Sequence, residues 1–295
     1  MGISPLRAGF FAVFGLCRPA AAGVTVGADQ TFGSGNYRST KVHATVDLSE
    51  ELYLSPSYSQ YRSDYSSGTR RGIGARLGSD ARLLGWGLEG NHQPKVDGYQ
   101  RSSFGGDLSY FLVPQDETFG WGLTGAELGV ALTRTMHSDE FSAAGPRVSG
   151  RRPPGPPRVE TFSIGQTDFG VFGTVKFRHA WLSGGLTKSH YDKTLDLGDA
   201  RVIQALELSG LEGIVQGFPD LGWDLKLTWR TFPGVRPHVS WARTTFRLGD
   251  PPSDGLGLGG AVEAGRFTLK TSWERYIQAG APKLDYFSLG TSVNF

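Results

Sequence analysis

The stretch LDYFSLGTSVNF, residues 284–295, decides the fold. Counted back in twos from its last residue, Phe295, Val293, Thr291, Leu289 and Phe287 fall on one side, and Asn294, Ser292, Gly290, Ser288 and Tyr286 on the other. Successive side chains of a strand point to opposite faces, so this segment has one apolar wall and one small, polar wall. The alternation runs to an aromatic residue at the last position, where the ends of water-soluble domains usually fray.

The start of the chain supports an exported protein. Arg7 precedes a short apolar run, AGFFAVFGL at 8–16, and Ala20-Ala21-Ala22 offers a small-residue cleavage site. This is the layout of a secretory signal peptide, and the run is too short to span a bilayer as a helix. Cleavage after Ala22 would also remove Cys17 and leave a mature chain without cysteine, compatible with export without disulfides.

With that leader, the closing strand and its terminal Phe resemble the last strand of bacterial outer-membrane β-barrels of the porin-like class. The resemblance implies a transmembrane, antiparallel, up-and-down barrel. It also implies that Phe287, Leu289, Val293 and Phe295 form the signal read by the barrel assembly machinery. Outer-membrane lipid and lipopolysaccharide would surround the wall, and small polar solutes would be the passengers. No specific family's motif is matched.

Composition agrees. Gly accounts for 43 of 295 residues without a G-X-Y period, which excludes collagen, and 12% aromatic residues argue against disorder. A net charge of +2 gives no basis for nucleic-acid binding. The mean hydropathy of −0.26 is compatible with a barrel, because only every second residue of a barrel strand faces lipid.

From residue 23 onward, short alternating segments are broken by turn residues. Strands are expected at 24–32, 37–48, 52–62, 69–78, 81–90, 101–112, 118–135, 162–178, 180–190, 223–232, 238–247, 256–264, 267–276 and 284–295. Their connections alternate. Those at 49–51, 79–80, 113–117, 179, 233–237 and 265–266 are short. The alternate ones, including 91–100, 136–161, 191–222, 248–255 and 277–283, are mostly longer, although the one at 33–36 is as tight as a hairpin. Bacterial barrels have short turns at the periplasmic end and longer loops outside. Fourteen strands require six periplasmic turns, the number found. The reading allows twelve to sixteen strands, since 199–208 and 211–216 offer an extra pair.

One face of these strands is apolar, with series such as Val42, Ala44, Val46 and Leu48, or Ala126, Leu128, Val130 and Leu132. Phe169, Val171, Val175 and Phe177 continue it, as do Trp223, Leu225, Leu227 and Trp229, then Phe267, Leu269 and Trp273. Trp121, Trp181, Trp223, Trp241 and Trp273 are assigned to interfacial girdles, as are Tyr58, Tyr61 and Tyr65.

The opposite face carries acids Asp29, Asp47, Glu89, Asp107, Glu127, Asp168, Asp224, Glu263 and Glu274. Its bases are Lys41, Lys176, Arg178, Lys226, Arg230 and Lys270, with His43 nearby. Such charges either tune ion passage through a wet lumen or pair across strands and hold the wall. A mixed-sign lining predicts weak ion selectivity. A water-soluble β-sandwich explains the alternation, but not the leader, the terminal Phe and the alternating loop lengths together.

Other chemistry is thin. His137-Ser138-Asp139 contains the residue types of a hydrolase triad, but neighbours in an extended chain point in alternating directions. A rim site of lipase or protease type would need His92 or His190 from other strands. The six His residues form no closely spaced pair, and Asp196, Asp199, Asp250 and Asp254 resemble no full calcium loop. No cofactor is expected. The loop GPRVSGRRPPGPPR at 145–158 suits an extended external segment, able to contact lipopolysaccharide phosphates or to serve in adhesion or secretion.

Overall fold

The computed structural model describes residues 23–64, 68–113, 122–143, 158–192, 218–230 and 232–295. The leader at 1–22, Tyr65, Trp121, the candidate extra strands at 199–216 and loop residues 144–157 lie outside the described residues.

Fourteen antiparallel strands close into one barrel, each hydrogen-bonded to its sequence neighbours, with β1 joined to β14. They are β1 (Val24–Gly33), β2 (Tyr37–Asp47), β3 (Leu52–Arg62), β4 (Arg70–Asp80), β5 (Leu84–Val96), β6 (Tyr99–Val113) and β7 (Leu123–Ala143). The second half comprises β8 (Arg158–Phe177), β9 (Ala180–Tyr191), β10 (Pro219–Trp229), β11 (Val235–Phe246), β12 (Ser253–Ala264), β13 (Phe267–Gln278) and β14 (Leu284–Asn294). The closing seam pairs Thr25 with Asn294 and Phe32 with Phe287. Phe295 follows β14 and donates its backbone N–H to Val24 at 2.9 Å. Closure leaves no open sheet edge, the condition for a sheet to stand in lipid. Fourteen strands spaced about 4.8 Å apart and tilted by about 40° give a backbone diameter of about 28 Å.

Several expected boundaries move. The connection expected at 91–100 is a tight hairpin: β5 runs to Val96 and β6 begins at Tyr99, so Asp97-Gly98 alone makes the turn. Both have positive φ (53° and 89°), the backbone that Asp-Gly favours in two-residue hairpins. Strand β7 extends to Ala143 and β8 begins at Arg158, so much of the expected loop 136–161 is paired sheet. Likewise β10 begins at Pro219, inside the expected loop 191–222. These extensions are polar, which is why hydrophobic alternation missed them. β7 is described from Leu123, and both the turn expected at 113–117 and the strand start expected at 118 fall largely on residues 114–121, outside the described residues.

The wall is apolar on the outside. Phe104, Phe267, Phe287, Leu132, Leu128, Leu258 and many like them are more than half exposed, all on the outward parity. An exposed apolar surface this continuous is untenable in water and natural in lipid. Toward the long-loop end, outward charges appear in pairs. Lys188 lies 2.7 Å from Asp220, Arg134 2.8 Å from Asp192, and Arg275 donates to Asp285 at 2.9 and 3.1 Å. They mark where the apolar belt ends. Trp273 is outward as expected and donates to Asp285 at 3.0 Å. Trp223 and Trp241 are outward neighbours with ring centroids 6.3 Å apart.

Register irregularities occur at Gln93/Val96, Phe111/Val113, Leu123/Gly125 and Pro219/Leu221. All four lie at strand ends.

Candidate functional site

The candidate site is the interior of the barrel. The cross-strand register carries one parity around the whole ring. Asp29 faces Lys41 and Gly290, Gly290 faces Lys270, and Lys270 faces Ala261. Asp224 faces Gly185, Lys176 faces Trp181, Glu127 faces Phe111, and Asp107 faces Gly87 and Ala131. Asp47, Glu89, Asp168, Lys226, Glu263 and Glu274 fall in the same phase, opposite Tyr53, Arg76, Ser189, Ser240, Thr268 and Tyr286. Arg178 and Arg230 follow β8 and β10 at their short-turn ends. They are tied by backbone N–H donation to Gly122 at 2.9 Å and to His179 at 2.8 Å. The charges expected on one face therefore share one face.

Between the charges, the interior is mostly Gly, Ser and Thr, so it is hydroxylated and thin-walled. The glycines have a specific use. Arg76 on β4 reaches past β5 to Asp107 on β6, donating two hydrogen bonds at 2.7 and 3.0 Å and a third to Tyr53 at 3.1 Å. Gly87 lies beneath this guanidinium, and a Cβ there would overlap it. Glu89 completes the cluster at 4.0 Å. Gly129 in the same way lies under the Phe172 ring, and Gly290 under the Asp29 carboxylate. Charged and aromatic groups thus lie along the wall instead of projecting across the bore. A cavity of about 330 Å³ remains beside this cluster, lined by Arg76, Asp80, Asp107, Ser109, Glu127 and Phe172 among others.

The arcs of the ring differ. On β4–β7, the acids Asp80, Glu89, Asp107 and Glu127 share the inward face with Arg70, Arg76 and Arg101, and Glu89 and Asp107 pair with Arg76. On β8–β11, Lys176, Arg178, Lys226, Arg230 and Arg236 outnumber Asp168 and Asp224, while Asp29, Lys41, His43, Glu263, Lys270 and Glu274 mix signs elsewhere. His43 lies 3.5 Å from Asp29, and Arg236 pairs with Glu263.

Toward the long-loop end the interior of β6–β10 is packed. Tyr99, Ile164, Tyr191 and Phe218 are buried with His137, Thr135 and Ser189. Tyr99 bonds His137 Nδ1 at 2.9 Å, Ser189 donates to Asp168 at 2.6 Å, and Tyr191 donates to the Pro219 carbonyl at 2.9 Å. Across the bore, Tyr61, Tyr37, Tyr286 and Tyr276 form a chain of ring contacts with centroids 5.3–6.5 Å apart.

Two aromatic assignments are corrected. Trp181 and Tyr61 belong to the interior and not to a girdle, because each pairs with inward residues, Lys176 and Ser39. Their own strands carried the signal: Leu182 and Leu186 face out on β9, so Trp181 faces in. Sequence reasoning also omitted Arg76 and Arg236 from the lining.

No catalytic grouping forms among the histidines considered. His137 is inward and buried, whereas His190 and His92 lie on the outward parity, with His92 bonded to Ser102 at 2.8 Å. Ser138 faces outward and accepts from Ser163 at 3.1 Å. Among the described residues no group of three metal-ligating side chains occurs. Asp254 lies 3.7 Å from Arg243.

The chain therefore has the architecture of a membrane-spanning β-barrel, apolar outside and polar inside. No protein-family model matches it, and no curated protein does. Among solved structures it is similar to CdiB from Acinetobacter baumannii at 11% identity and a TM-score of 0.49, covering 93% of this chain but only 60% of that one. OmpT, an outer membrane protein of Vibrio cholerae, is 9% identical over 95% of this chain and 99% of its own, with a TM-score of 0.44. The outer membrane protein Omp33 of Acinetobacter baumannii gives 9%, 92%, 97% and 0.44 in the same terms. Identities this low say nothing about activity.

Proposed function

We propose that this chain is an outer-membrane pore through which small polar solutes diffuse passively and with weak selectivity. The observation that carries the reading is the lining: hydroxyl groups and glycines, with the large charged side chains laid flat where an inward glycine makes room, as Arg76 lies over Gly87. Hydrated solutes meet polar groups throughout, and the bore keeps the space that projecting side chains would fill. Both charge signs line it, so neither cations nor anions are strongly excluded. The packed β6–β10 arc and the tyrosine arc narrow the long-loop end and set the size limit there.

The outward apolar belt supports a place in the outer membrane, surrounded by lipid and lipopolysaccharide. Phe287, Leu289, Val293 and Phe295 would present the closing strand to the barrel assembly machinery, and residues 1–22 would direct export. Purified, refolded protein in a planar bilayer tests the pore. Stepwise conductance with a cation-to-anion permeability ratio near unity is expected. A silent bilayer from protein that shows heat-modifiable gel mobility overturns the reading.

A further inference from the structure

At the short-turn mouth three cations gather around one inward tryptophan. The Arg230 guanidinium lies 4.6 Å from the Trp181 ring centroid, the Lys176 ammonium 5.5 Å and the Arg236 guanidinium 5.6 Å. Register explains the meeting. Lys176 on β8 and Thr228 on β10 both face Trp181 on β9, and on β11 Arg236 lies two residues before His238, the partner of Thr228, on the same inward face. Arg230 is fixed by its backbone bond to His179.

The charge balance is uneven. Glu263 pairs with Arg236, but among the described residues no carboxylate lies within ion-pair distance of Lys176 or Arg230. One indole ring attracts a cation by about 0.5–2 kcal/mol and supplies no negative charge. The Trp181 Nε1–H is itself buried without an acceptor. The cluster therefore holds two unneutralised cations and an unused N–H donor at one point of a bore whose lipid-backed wall focuses the field. What it lacks is an oxyanion.

We propose that Trp181, Lys176, Arg230 and Arg236 form a binding site for a small oxyanion, a phosphate or carboxylate group, at the short-turn mouth of the bore. Lys176 and Arg230 supply charge-assisted hydrogen bonds, Arg236 positions the ring edge while held by Glu263, and the indole N–H turns toward the bound oxygen. The inference deepens the pore reading by naming the solute class held at one mouth. It depends on that reading for the route of access and not for binding.

The test uses refolded full-length protein in detergent, titrated separately with inorganic phosphate and with succinate at constant ionic strength set by chloride, and followed by calorimetry. Saturable binding by at least one anion is expected, weakened about tenfold or more in Lys176→Ala/Arg230→Ala and unchanged in Arg76→Ala. The two arms tell phosphate from carboxylate preference. Trp181→Phe keeps the ring, removes the N–H and is expected to weaken binding to a lesser extent. Non-saturable heats, or equal affinity in the double variant, overturn the site. Heat-modifiable mobility confirms that each variant is folded. Binding retained in protein that is silent in bilayers supports the site while the pore reading falls, and conductance without binding does the reverse.

Discussion

Arg76 and Arg230 both face the bore, yet they are held differently. Arg76 lies flat over Gly87 with three hydrogen bonds and two carboxylates, a group whose bonding is consumed by the wall. Arg230 sits beyond the end of β10, exposed, over the Trp181 ring and, among the described residues, without a carboxylate within ion-pair distance. The difference separates charges that build a barrel from charges left available to what passes through it, a distinction that a count of lumen charges hides.

The harshest way to test that distinction is to place a guanidinium on either side of the wall. Val130 is outward and its neighbour Ala131 inward, opposite Asp107. Val130→Arg should destabilise by about 2–4 kcal/mol and reduce the heat-modifiable folded fraction, whereas Ala131→Arg should fold. A smaller effect is expected of Arg76→Ala. Loss of its partly exposed network should lower the urea midpoint by the equivalent of about 1 kcal/mol and shift the zero-current potential in a salt gradient toward cations. Gly87→Ala should lower the midpoint somewhat less, because the new Cβ displaces a flexible guanidinium that can partly readjust. Arg230→Ala should leave the midpoint within about 0.5 kcal/mol and still move the zero-current potential toward cations. Unchanged potential with a large loss of stability would invert the assignment of the two arginines.

The sequence made the fold legible because a barrel writes its two faces as a period of two. The closing strand and the shared face of Asp29, Lys41, Asp107, Lys176, Asp224 and Lys270 follow from parity, and the strand number, open between twelve and sixteen, from the count of short turns. The Asp97-Gly98 hairpin was missed although its dipeptide is a strong turn signal, since the polar residues flanking it offered no apolar alternation. The Arg76 network was illegible for another reason. Its partner Asp107 is two strands away, and the space for the contact comes from Gly87 on the strand between, so no single segment shows it. Trp181 is legible from parity, because Leu182 and Leu186 face out on the same strand, although its residue type alone suggests an interfacial girdle.

Phe295 should show the smallest effect in a test tube. Its deletion removes one backbone bond to Val24 beyond the end of β14, so refolding into detergent should change by less than about 1 kcal/mol. Accumulation in the outer membrane of cells, measured by fractionation, should fall severalfold. Equal accumulation would count against the terminal strand as an assembly signal.

The four register irregularities bear on how this chain can change length. In a closed ring every strand answers to two neighbours, and a residue inserted mid-strand would turn all later side chains of that strand inside out, setting leucines in water and lysines in lipid. The wall tolerates an extra residue near Gln93, Phe111, Leu123 and Pro219, where the pairs between the irregularity and the nearer strand end are few. A scan of single-residue insertions should therefore give a map of permissive ends and forbidden middles, and drift in length among descendants of this chain is confined to its rims.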